Sequence, residues 1–73
     1  GVVSMTEVTD LNNCTGPAPT YFGDISGLGS APQGNEFVKG SNLKCYIVTG
    51  YVNNSPTITL TGGPWSGCNS CGA

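Results

Sequence analysis

The residues with the most chemistry open to them are the four cysteines, Cys14, Cys45, Cys68 and Cys71. Three readings compete for them. An even number of cysteines in a short chain with little apolar material reads as two disulfides. Zinc would need four ligands within tetrahedral reach. Cys68-Asn69-Ser70-Cys71 supplies one Cys-x-x-Cys knuckle, but Cys14 and Cys45 stand far apart in sequence and no His is present. A redox dithiol at the same motif would sit at a helix N-terminus in a βαβ setting, whereas Gly67, Gly72 and the chain end surround it here. The disulfide reading is adopted, with no metal site. Four cysteines allow three pairings. Bonding the two early cysteines to the two late ones would tie the N-terminal half to the tail, and is preferred to a strained Cys68–Cys71 ring. Closing the loop from Cys14 to the terminal pair removes roughly 4 kcal/mol of unfolded-chain entropy, comparable with the whole stability of a small domain.

Other chemistry is thinly represented. Acid–base catalysis draws on His or on paired carboxylates held at different pKa values. The carboxylates here, Glu7, Asp10, Asp24 and Glu36, stand apart in polar or Gly-rich contexts. A Ser or Cys nucleophile would have only Lys39 and Lys44 as bases. The expectation is therefore a non-enzymatic protein with no catalytic residue and no cofactor. Gly27-Leu28-Gly29-Ser30 lacks the Lys-Ser/Thr and the helix of a phosphate loop, and reads as surface loop. Asp10 with Asn12 and Asn13 reads as an Asx turn ahead of a calcium site. Trp65 with Tyr21, Tyr46 and Tyr51 is a candidate sugar-stacking set, against the plainer reading that Trp65 caps an edge of the core. Asn13-Cys14-Thr15 and Asn53-Asn54-Ser55 make Asn13 and Asn53 candidate glycosylation acceptors, with Pro56 a poor follower for the second.

The elements that would carry these residues follow from composition. Of 73 residues, Gly, Thr, Ser and Asn make up 34, and charged residues only 8%, against roughly 25% in ordinary globular proteins. Such a mixture disfavours helix and suits short strands with tight turns. The net charge of −2 with two Lys as the only cations excludes nucleic acid as a partner. The longest apolar run, Cys45-Tyr46-Ile47-Val48, is far below the roughly 20 residues of a membrane span, so no membrane partner is expected.

Residues 1–9 are rich in β-branched side chains and read as a first strand or as an assembly arm that adds to a neighbour, with Val2, Val3, Met5 and Val8 as its contacts. Residues 10–73 read as a single small β domain with an irregular Cys-x-x-Cys tail. Short strands are expected near 20–22 and 36–38, and residues 23–34 form a long irregular connection. Residues 44–52 and 57–61 alternate with period two across Asn53-Asn54-Ser55-Pro56, which predicts a β-hairpin with Ile58 and Leu60 facing the core and Thr57, Thr59 and Thr61 facing out. The fold class is all-β: a small antiparallel sandwich or barrel of about five short strands, with Gly/Asn-rich loops and disulfide staples.

The series Leu11-Asn12-Asn13-Cys14, Lys44-Cys45-Tyr46-Ile47-Val48, Thr57-Ile58-Thr59-Leu60 and Gly67-Cys68-Asn69-Ser70-Cys71 resembles a small cysteine-bearing β module that recurs in structural proteins of tailed bacteriophages. The likeness spans about residues 8–71. It implies a virion role, such as decoration, neck, tail or fibre, and brings no catalytic residues. The function expected is a structural subunit that assembles in many copies, with copies of itself and other virion or surface proteins as partners, located in a virion or extracellularly. A secreted filament or surface-layer subunit, a carbohydrate-binding module using Trp65 with glycans as partner, and a small disulfide-stabilised effector are the alternatives.

Overall fold

A computed structural model describes residues 1–72. Five strands, β1 (Val2–Val8), β2 (Thr20–Asp24), β3 (Phe37–Gly40), β4 (Cys45–Tyr51) and β5 (Ile58–Trp65), are followed by a 3-10 turn at Cys68–Gly72. The strands form a closed barrel in the order β1-β2-β5-β3-β4, and β4 returns to β1. All contacts between neighbours are antiparallel except β2–β5, which is parallel and limited to Gly23↔Ile58 and Asp24↔Thr59.

The period-two pattern fills the barrel. Val3 and Met5 of β1, Val38 of β3, Tyr46 and Val48 of β4 and Leu60 of β5 are buried together inside it. Ile58, Tyr21, Ile25 and Leu28 pack against them in partial exposure. Thr57, Thr59 and Thr61 point outward, as the alternation predicts. Gly23 sits where a side chain would not fit: a Cβ there would lie 2.8 Å from Leu60 and 2.9 Å from Met5. Its missing side chain is what lets β2 close against the core.

One sequence expectation changes and one alternative drops away. The strands at 45–51 and 58–65 are not a hairpin: β3 lies between them, and β4 pairs with β1 and β3 while β5 pairs with β3 and β2. The hairpin is β3–β4 instead. Its turn is closed by hydrogen bonds from Leu43 N–H to Gly40 O (2.9 Å) and from Gly40 N–H to Lys44 O (2.9 Å), with Leu43 at φ 67°. That is the left-handed residue of a short hairpin loop, a place glycine usually takes. The alternative concerns residues 1–9, read as a first strand or as an assembly arm: they form the strand. Both edges of β1 are occupied within the same chain, by β2 and by β4, and Val3, Met5 and Val8 are buried. They are wall and core of this barrel and do not project as an arm.

β5 also extends beyond the alternating stretch, through Gly62-Gly63-Pro64 to Trp65. Its register with β3 slips twice, each time leaving an extra residue on β5. Gly63 takes φ 105°, and a Cβ on it would lie 2.7 Å from the Phe37 carbonyl. These are β-bulges, which turn the strand so that it leads into the tail. The long connection after β2 crosses one end of the barrel. Its Pro32 is fully buried, Asn35 N–H bonds Val48 O (2.9 Å), Val48 N–H bonds Glu36 O (2.8 Å), and the Tyr51 hydroxyl donates to the Pro32 carbonyl.

Candidate functional site

Side chains that face outward on β3 and β4 do not all meet solvent. Val8, Phe37 and Cys45 form a second buried cluster with Cys68 and Cys71 of the tail, and Leu11, Cys14, Ile47 and Trp65 pack around it. In a 3-10 turn, side chains three apart eclipse one another, so the Cys-x-x-Cys spacing at Cys68–Gly72 directs both sulfurs into this cluster. Each meets a different partner. Cys68 is bonded to Cys14 and Cys71 to Cys45, with Cα–Cα distances of 5.7 and 5.9 Å, and no cysteine is free. This is the arrangement that joins the two early cysteines to the two late ones. The Cys68 Sγ lies 3.0 Å from the Leu11 carbonyl and the Cys71 Sγ 3.5 Å from the Val38 carbonyl. With no S–H left after bonding, these are packing contacts.

The two bonds reach different kinds of structure. Cys45 opens β4 and is held between Val8 and Lys39 by strand pairing. Cys14 lies on a turn closed by a bridge between Asp10 and Thr15, and has φ 55°. Within that turn the Asp10 carboxylate accepts hydrogen bonds from Asn12 N–H and from the Asn13 side-chain amide, both 3.0 Å. The Asx turn thus uses both carboxylate oxygens, and no metal-binding group of three or more His, Cys, Asp or Glu occurs among the described residues. Asn13 and Asn53 are both exposed; Asn53 lies on the loop between β4 and β5.

The aromatic residues do not share one surface. Tyr46 is inside the barrel, its hydroxyl accepting a hydrogen bond from the Asn42 side-chain amide (2.9 Å), and its ring meets Tyr21 edge-on at 5.7 Å. Trp65 packs on the outer cluster, over Gly62, where a Cβ would lie 2.7 Å from the indole. Tyr51 is 55% exposed at the barrel end.

A feature that the sequence reading missed is the seam between β2 and β5. Because that pairing covers only Gly23 and Asp24, residues 20–22 of β2 have a strand neighbour on the β1 side alone. Opposite them, Pro56 has no N–H for a ladder. Thr20, Tyr21 and Phe22 face Pro56, Thr57 and Ile58 across a mainly apolar groove of about 240 Å³. The signal that could have found it is Pro56 just ahead of the β5 alternation, which stops pairing on that side. Next to the seam, Asp24 accepts a hydrogen bond from Ser26 N–H (3.0 Å), and bonding to the Ser26 backbone and side chain holds its carboxyl below the ordinary aspartate range.

Comparison of the chain with protein-family models, with curated proteins and with solved structures gives no match. What the geometry itself defines is an all-β, disulfide-bonded barrel, a covalent chemistry that persists in oxidising surroundings. No helix of the described residues is long and apolar enough to cross a membrane.

Proposed function

We propose that this chain is a non-enzymatic structural subunit that works in many identical copies, in a virion or in an extracellular filament or surface layer. The observation that carries this reading is the seam. A strand segment with an unpaired edge beside an apolar groove can accept an added strand from a neighbouring copy. Two further features support it. A net charge of −2 lets like subunits pack without strong repulsion. Two disulfides suit a subunit that must keep its shape outside the reducing cytoplasm; in a virion they would form after release. The projecting arm drops out of the argument, since β1 is fully used within its own barrel.

Sedimentation velocity over a concentration series, with electron microscopy of the same material, tests the reading. Polymers or closed rings are expected, and Phe22→Lys, which sets a charge on the open edge, is expected to leave a folded monomer. A wild-type chain that stays monomeric at high concentration contradicts it.

A further inference from the structure

The two disulfides share one turn of the tail but differ in access and in what they fasten. Cys45, Cys68 and Cys71 are 8%, 3% and 1% exposed, whereas Cys14 is only half-buried. Thiol–disulfide exchange requires a thiolate to reach one of the two sulfurs, so the bond through Cys14, the least buried residue of the four, is the more open to attack. Its loop is also a self-contained unit. Thr9 N–H and Asp10 N–H both bond Thr15 O, Thr15 N–H bonds Asp10 O, and the Asp10 carboxylate takes Asn12 and Asn13. The left-handed conformation of Cys14, costly for a residue with a Cβ, is held by this loop and its bond to the tail. Cys45, by contrast, is part of a strand paired on both sides.

We infer that Cys14–Cys68 is a reductively opened latch: it is cleaved first and frees the loop at residues 9–19, while Cys45–Cys71 keeps the tail seated on an intact barrel. The step needs a dithiol reductant. One of its thiolates attacks the Cys14 Sγ, the sulfur–sulfur bond breaks, and Cys68 leaves as a thiolate that takes up a proton. The second thiol of the reductant then displaces Cys14, which leaves as a thiol, and the reductant ends as a disulfide. Two electrons and two protons pass from reductant to protein. This device is independent of the assembly reading, because it concerns a single folded chain.

The test is a time course with dithiothreitol under native conditions, quenched with N-ethylmaleimide and mapped by peptide mass spectrometry. The expected intermediate carries label on Cys14 and Cys68 only, formed roughly an order of magnitude faster than the four-label species, since exchange follows access to the attacked sulfur. Its far-ultraviolet circular dichroism matches that of the oxidised protein, and at short exchange times the added hydrogen exchange is confined to residues 9–19. The Cys14→Ser/Cys68→Ser variant reproduces those two properties. Label appearing first on Cys45 and Cys71, or all four cysteines reacting together with loss of the barrel signal, overturns the inference. So does label on Cys14 and Cys45, which would mean that freed Cys68 had attacked Cys71 and opened the second bond.

Discussion

The two apolar clusters lie on opposite faces of one sheet and are enclosed by different means. Inside the barrel, Val3, Met5, Val38, Tyr46, Val48 and Leu60 are surrounded by strands, so the walls are held by ladder hydrogen bonds. Outside it, Val8, Phe37 and Cys45 are roofed by irregular chain: the turn carrying Leu11 and Cys14, and the short tail carrying Cys68 and Cys71. These segments make few backbone bonds to the sheet; one disulfide, Cys45–Cys71, ties the tail to β4, and the other, Cys14–Cys68, ties the turn to the tail. Burial and pairing suffice where the backbone is regular; where it is irregular, sulfur supplies the fastening.

Substitutions can break or sharpen that contrast. Leu60→Ala removes a fully buried side chain from the interior and is expected to cost about 2 to 5 kcal/mol in denaturant unfolding; Ile58→Ala, at a half-buried position, is expected to cost distinctly less. Next in size is Asn42→Ala. It leaves the Tyr46 hydroxyl buried without its partner, at about 1 to 3 kcal/mol, whereas Tyr46→Phe removes the hydroxyl itself and should cost less than Asn42→Ala. The reverse order would show that the hydroxyl finds another partner. Leu43→Gly is expected to raise stability by about 1 kcal/mol, because Leu43 holds a left-handed conformation at 77% exposure with little packing to lose.

Smaller still is the acid response of Asp24. Its folded-state pKa is depressed by the Ser26 hydrogen bonds, so its stabilisation is present above the ordinary aspartate value and is lost as pH falls through the lower folded one. Asp24→Asn should flatten the unfolding profile in that acid range, so that the variant is less stable than the parent near neutrality and equal to it below the folded-state pKa. Thr59→Ala, on the outer face, should be nearly silent in a single subunit. A cost equal to that of Leu60→Ala would mean that the faces of β5 are reversed.

Much of this architecture was legible in residue order. The strands at 45–51 and 58–61 and the inward set of β5 follow from period-two alternation, the first strand from its β-branched residues, and the role of the cysteines from the needs of a small core. Which strands become neighbours does not follow. Asn53-Asn54-Ser55-Pro56 has the residues of a tight turn, yet both edges of β4 are taken by β1 and β3, so β5 must cross to the far side of β3. The glycines that appear to end β5 prolong it, because Gly63 supplies a backbone angle that a bulge requires. For the same reason the seam was hidden. Pro56 marks where pairing of β5 stops, but an unpaired edge at residues 20–22 also depends on how far β2 and β5 overlap, a property of the packed strands.

Whether sulfur supplies the fastening that burial cannot is tested most directly by thermal unfolding of the oxidised protein against the fully reduced one in the same buffer. Loss of the long Cys14–Cys68 loop closure alone removes roughly 4 kcal/mol, which lowers the midpoint of so small a domain by about 15 °C or more. That drop is the result expected. Coincident melting curves for the two forms would show that the interior cluster holds the molecule without its cross-links.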